Sequence, residues 1–218
     1  MLIDLRVAQL LCSRVCHDLI GPVGAVNSGI ELLGEEGGTL SDDAMALIVR
    51  SSAQASRRLA FYRIAFGLGG ATGPRAVAEA RDLAMALFDK GRAGLDWPAE
   101  TTRCTEGMVG PEAVKLLLNL VLMAADCLPR GGGVAVRAAP MGEGVGIAVT
   151  AVGEGARLRD GIADVMAAEP PPGALSAHTV AAAFAQSLAR ALGTGIEISE
   201  HNGEVRFAAL LPFAETES

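Results

Sequence analysis

Cys16-His17-Asp18-Leu19-Ile20-Gly21-Pro22 decides how this chain of 218 residues is read. The stretch lies early in a segment where Val15, Leu19, Val23, Val26, Ile30 and Leu33 recur every three or four residues. That is the period of a helix with one buried apolar stripe. His17 falls off the stripe. At helical spacing its own face carries Ser13, Gly21, Gly24 and Ser28, all small, so an approaching protein backbone meets no bulk beside the imidazole. Pro22 has no N–H to offer the carbonyl of Asp18, and the helix is expected to bend just after the histidine.

Working outward, the periodic segment covers about residues 4–35, on the order of 48 Å of helix at 1.5 Å per residue. Residues 34–40 are rich in glycine and read as a turn, after which Ser41-Asp42-Asp43 cap a second helix. This helix carries Ala44, Ile48, Ser51, Ala55, Leu59, Tyr62 and Phe66 on one stripe. It ends in the helix-breaking run 67–74, the boundary between a first domain, 1–70, and a second, 74–214. A hairpin of two helices cannot bury its stripe alone. A second copy would complete a four-helix bundle, so a homodimer is expected. With the turn centred near residues 38 and 39, the second-helix residues level with His17 lie near position 60. Arg57, Arg58 and Arg63 fall within about a turn of that level. A guanidinium offers forked donors suited to a phosphoryl group, which makes these three, with Arg14 one turn before His17, candidates to steady one.

Composition narrows the classes. Half of the residues are apolar, aromatics are 4%, and the net charge is −7 without a run of Lys or Arg, so a nucleic-acid-binding face is not expected. Asp4 and Arg6 interrupt any basic-then-apolar leader, and residues 113–128, the most apolar stretch, contain Lys115, Asn119 and Asp126. A soluble cytoplasmic protein away from the membrane is expected. Cys12, Cys16, Cys104 and Cys127 lack metal-ligand spacing, and His17 is turned about 100° from Cys16 on a helix, so the four read as small buried thiols.

The second domain reads as a helix over 76–90, a short strand at 94–97, and an apolar helix over 111–128 opened by Pro111. Strands follow at 134–139 and 145–152, then a proline-rich loop at 169–172 and a helix over 176–192. The last two strands, 195–200 and 204–211, join across Asn202-Gly203, a strong hairpin signal. Helices grouped with a mostly antiparallel sheet make the class α+β.

His17-Asp18-Leu19 followed by Pro22 resembles the H-[D/E]-L-x-x-P phospho-acceptor box of histidine kinases and histidine phosphotransferases. The longer run at residues 11–27, Leu-Cys-Ser-Arg-Val-Cys-His-Asp-Leu-Ile-Gly-Pro-Val-Gly-Ala-Val-Asn, is similar to the start of the ChpT-type phosphotransferases of alphaproteobacterial phosphorelays. The likeness extends over nearly the whole chain. It implies a dimeric four-helix bundle joined to a degenerate Bergerat domain, the α/β sandwich that binds ATP in histidine kinases. The asparagine box of that sandwich, N-L-x-x-N-A, aligns with Asn119-Leu120-Val121-Leu122-Met123-Ala124, so a thioether replaces an amide that helps hold Mg²⁺. The D-x-G-x-G box aligns with Ala151-Val152-Gly153-Glu154-Gly155, losing the carboxylate that reads adenine. Pro170-Pro171-Pro172 stands where a glycine-rich lid belongs.

What the resemblance implies for activity is a phosphotransferase without ATP. His17 takes a phosphoryl group from the phospho-aspartate of a hybrid kinase receiver and passes it to response-regulator receivers. An imidazole exposed to water is mostly neutral near pH 7 and has one nitrogen lone pair free to attack phosphorus. Asp18 hydrogen-bonds the ring or takes its proton. Ser13, Arg14, Ile20, Gly21 and Gly24 form the expected partner face. The receiver supplies Mg²⁺, and the chain needs no cofactor or metal of its own. His178 and His201 carry no pattern and are expected to be structural or exposed. Two other readings remain open from the residues: an ATP-dependent histidine kinase, and a non-catalytic dimeric scaffold or kinase inhibitor.

Overall fold

The long apolar periods do become two long helices, α1 (Leu5–Gly34) and α2 (Leu40–Ala65), lying against each other as a hairpin. The structure, a computed structural model, describes residues 4–34, 40–68, 75–167 and 173–214. The expected turn at 35–39, the linker at 69–74 and the proline-rich loop at 169–172 lie outside the described residues. Because α2 begins at Leu40, Asp42 and Asp43 sit inside its first turn, where a carboxylate favours the positive end of the helix dipole. α1 runs on through Pro22 as one helix.

The buried faces differ from the expected stripes. On α1 the residues buried are Val7, Leu11, Pro22 and Gly29, while Val23 and Ile30 are half exposed. Periodicity marks an apolar stripe without saying what covers it, and here part of the stripe on α1 has no cover in the single chain. On α2 Leu59 is likewise exposed, and Phe61, Ile64 and Ala65 are buried instead. These three turn toward the second half of the chain, where the end of α2 packs on α3 (Ala76–Phe88) and α5 (Pro111–Asp126). Cys12, Cys16 and Cys104 are exposed rather than buried; only Cys127 is enclosed, and burial, with Asp126 beside it, pushes its thiol up to about 12.

Gly29 sets how closely the two helices approach. A Cβ there would stand 2.6 Å from Ile48 Cγ1 and 3.2 Å from the carbonyl oxygen of Ala44. Gly29→Val is therefore expected to destabilise the protein by about 1–3 kcal/mol through overpacking, outweighing the helix propensity it gains. A lower urea midpoint at unchanged slope would register this.

The C-terminal half is an α/β sandwich, one five-stranded sheet covered by helices. Five strands, β1 (Ala93–Asp96), β2 (Gly132–Met141), β3 (Gly144–Val152), β4 (Glu197–His201) and β5 (Glu204–Pro212), take the order β1-β2-β3-β5-β4. β1 runs parallel to β2, and the other pairings are antiparallel. Val145, Ile147, Val149 and Ala151 on β3, with Val205, Phe207, Ala209 and Leu211 on β5, alternate inward beneath α5. α5 is buried all round from Ala113 to Ala124, flanked by α3 and α7 (Val180–Ala191). The β4–β5 turn is the expected one, with Asn202 at φ 47° and Gly203 at φ 78°. Two short helices, α4 (Ala99–Thr105) and α6 (Ile162–Met166), have too few turns to leave a periodic signal and were not expected.

Candidate functional site

His17 stands on the outer side of α1 with its side chain 87% exposed. Ser13, Gly21 and Gly24 around it are exposed, and a Cβ on either glycine would meet nothing within 4 Å. Ile20 is also open, at 69%. These residues form one accessible, low-relief surface around an imidazole.

Behind it Asp18 is held from three sides. Its Oδ1 lies 3.3 Å from His17 Nδ1, and its Oδ2 accepts a hydrogen bond from the Tyr62 hydroxyl at 2.5 Å. Its backbone carbonyl, which the missing N–H of Pro22 would leave unpaired, accepts from Arg58 Nη1. Arg58 and Tyr62 bracket position 60, the level expected to face His17. Burial, then the bond to Asp18, then its charge, raise the pKa of Tyr62 well above the ordinary phenol value.

The four candidate arginines part company. Arg14 turns away from His17 and meets Asp126 at the end of α5 at 2.7 Å, with 11% of the guanidinium side chain and 25% of the carboxylate side chain exposed. Burial works against the Arg14 charge, but the field and hydrogen bond of Asp126 outweigh it and its pKa is raised. Arg57 meets Asp89 at 2.9 Å. Arg58 serves the Asp18 carbonyl, and Arg63 is exposed. Arg14 and Arg57 thus pin the hairpin to the sandwich, because each carboxylate lies on the surface that α1 and α2 rest against. Between hairpin and sandwich runs a cavity of about 610 Å³. Arg14, Arg50, Arg57, Arg58, Lys90 and Arg92 line it against Asp18, Asp89 and Asp126. This is a basic groove on an acidic chain, opening beside Asp18.

The positions aligned with the nucleotide boxes are sealed. Asn119, Met123 and Ala151 are 0%, 1% and 0% exposed. Asn119 Nδ2 donates to the carbonyls of Lys115 and Ala65, both at 2.9 Å, so the amide ties α5 to the end of α2 as well as to its own helix. Its Oδ1 is buried and has no partner among the described residues. A Cβ on Gly153 would lie 2.5 Å from the carbonyl oxygen of Gly131, so the chain itself closes that corner. At the aligned positions a thioether, Met123, and a methyl group, Ala151, stand inside the packed core. Among the described residues no cluster of His, Cys, Asp or Glu could hold a metal, and no helix is long and apolar enough to cross a membrane. His178 is exposed, and the His201 ring pairs with the Asn202 side chain in its turn.

Tyr62, Asp126 and Asp89 were missed by the motifs. Tyr62 reads as a stripe residue, and its position two residues from the level of His17 was the one available signal. The two aspartates carry none, lying 112 and 32 residues from the arginines they meet.

The sequence model of the histidine phosphotransferase C-terminal domain matches residues 77–204. That match spans more than half of the chain, and the chain belongs to the histidine phosphotransferase family. Within it the chain is similar to the protein phosphotransferase ChpT of Brucella abortus (strain 2308), at 36% identity over 206 residues, 94% of this chain and 95% of that one. A solved bacterial phosphotransferase at 34% identity covers 96% of this chain and 98% of its own, with a TM-score of 0.81.

Proposed function

We propose that the protein relays phosphoryl groups between receiver domains through His17, without ATP. The observation that carries this is an open imidazole whose Nδ1 faces Asp18, leaving Nε2 directed to solvent. Nε2 attacks the phosphorus of a phospho-aspartate on a hybrid kinase receiver. The N–P bond forms as the acyl-phosphate O–P bond breaks, and the electron pair leaves with the aspartate carboxylate. The aspartate of a response regulator then reverses the step, breaking the N–P bond. Nδ1 keeps its proton throughout, and Asp18 balances the positive charge on the substituted ring. The receiver brings Mg²⁺, so transfer here is positioning and charge balance.

The low-relief face at Ser13, Gly21 and Gly24 lets a receiver close on His17, with Ile20 against its apolar surface. The basic groove attracts the acidic rim of the receiver's pocket. In this reading Arg14 shapes the docking surface through Asp126 rather than touching phosphate. Val23 and Ile30 on α1, with Met45, Val49 and Leu59 on α2, are exposed apolar residues that a second hairpin would cover, which supports a homodimer. The working division is a phosphotransfer hairpin, 1–70, and a receiver-binding sandwich, 74–214. Its place is the cytoplasm, where receivers are.

Incubating the protein with a receiver labelled on its aspartate tests this. Wild type is expected to take up acid-labile, base-stable phosphate and His17→Ala none. Label retained by the variant would refute the assignment, and absence of label on wild type would favour a scaffold.

A further inference from the structure

We infer that Tyr62 is a positioning residue for phosphotransfer, its hydroxyl holding one oxygen of Asp18 so that the other fixes the His17 ring with Nε2 outward. The inference rests on the relay reading above and goes beyond it to a residue outside the acceptor box.

His17 has little else to orient it. Its side chain is almost wholly in water, and its one polar partner among the described residues, Asp18 Oδ1, lies at 3.3 Å, the long end for a hydrogen bond. A carboxylate rotates broadly about its last torsion, so Asp18 orients the ring only if something fixes Asp18. The Tyr62 hydroxyl does this at 2.5 Å, and Arg58 holds the Asp18 backbone by the carbonyl that Pro22 leaves free. Tyr62 cannot swing. Its ring stacks on Phe66 at 5.3 Å and meets Phe61 edge-on at 6.1 Å, and Phe66 in turn packs edge-on against Phe184 of α7 at 5.9 Å. A line of rings thus runs from the sandwich core to the acceptor, ending in phenol, carboxylate and imidazole.

Burial and Asp18 keep the phenol in its protonated, donating form. The groups facing it are Asp18 and Arg14 from α1 and Arg58 from α2; the two cations oppose the shift without reversing it. A partner on one ring nitrogen selects the tautomer, here Nδ1–H with the lone pair on Nε2. Phenol as mere core filling would need the ring alone, and Tyr62→Phe separates the two roles because it deletes only the oxygen.

The test uses the full chain and a phosphorylated receiver in single turnover over a range of receiver concentrations. Tyr62→Phe is expected to lower the maximal transfer rate roughly ten- to a hundredfold, the scale of a misplaced reacting group, with the half-saturating receiver concentration unchanged. Ring ¹⁵N spectra, assigned by comparison with His17→Gln, should lose the excess of the Nδ1–H tautomer. The chain holds one tyrosine, so ultraviolet absorbance reads Tyr62 alone. In Asp18→Asn its ionisation should move down part of the way, with burial still holding it above the ordinary phenol value. The raised pKa also fixes a sign. Its contribution to stability is complete below about pH 10 and is lost as pH rises through the folded-state value, a loss that Tyr62→Phe should not show. A folded Tyr62→Phe with wild-type rate and tautomer would overturn the positioning role. Wild type that accepts no phosphate would instead end the relay reading, and the tautomer comparison would still decide whether Tyr62 orients His17.

Discussion

Asp126→Ala is expected to destabilise the protein by about 2–4 kcal/mol and to slow phosphotransfer although residue 126 lies far from His17 in sequence. The carboxylate is the partner of a guanidinium whose side chain is only 11% exposed. Removing one member of a buried pair typically costs about 3–5 kcal/mol, chiefly because the other charge is stranded. The carboxylate's own partial exposure, 25%, lets water enter and trims that figure. Arg14 lies one turn before Asp18 on α1, so the same bond that ties the sandwich to the hairpin also frames the acceptor. Urea denaturation measures the cost. Replacing both members with apolar residues of similar volume, Arg14→Met with Asp126→Leu, should recover most of the stability, since the pair is stabilising mainly in the sense that neither member can be left alone. Recovery of stability without recovery of transfer would locate the contribution of Arg14 to catalysis in the docking geometry.

Gly24→Leu is the complementary case, where the fold is expected to tolerate a change that function does not. Gly24 lies two turns beyond His17 on the same face, about 10 Å along the helix. A Cβ there meets nothing within 4 Å. Glycine inside a helix costs up to about 1 kcal/mol relative to a good helix former, so stability should hold or rise slightly. An isobutyl group nevertheless stands where a receiver must close on the imidazole. Transfer should fall more than tenfold, seen as a higher half-saturating receiver concentration, because the obstacle acts on docking and leaves the acceptor ring untouched. Gly24→Ala should fall between. Undiminished transfer in Gly24→Leu would show that receivers approach from another side. Together with Asp126→Ala, this variant separates the surface that receives a partner from the joint that holds it in place.

Much of the hairpin was legible because its signals are local. A period of 3.6 marks α1 and α2, and Asn202-Gly203 marks the last hairpin of the sheet. His17, Asp18 and Pro22 were legible as a motif. The level of position 60 opposite the acceptor followed from counting back from the turn. What could not be read was which neighbour each face meets. Val23 and Ile30 look like core from spacing alone, and Phe61, Ile64 and Ala65 become core only once α5 and α3 arrive from later in the chain. The same holds for the site. Asp126 reaches Arg14 across 112 residues, and nothing near either names the other. Helical spacing puts Tyr62 on the apolar stripe of α2, and only three dimensions bring its hydroxyl to Asp18. Met123 and Ala151 read in the sequence only as departures from two motifs, and that both lie inside the core follows from packing alone.

Pro22 links these observations. A proline inside a helix frees one carbonyl, and here that carbonyl belongs to the residue beside the acceptor. Arg58 occupies it, so a local irregularity becomes a joint between α1 and α2 at the level of the chemistry.

The central claim is that His17 is charged by a phospho-aspartate and not by nucleotide. Supplying labelled phosphate to the wild-type protein as Mg·ATP and, separately, as a phosphorylated receiver measures it directly. Label is expected on His17 from the receiver alone. Label on His17 from Mg·ATP would contradict it.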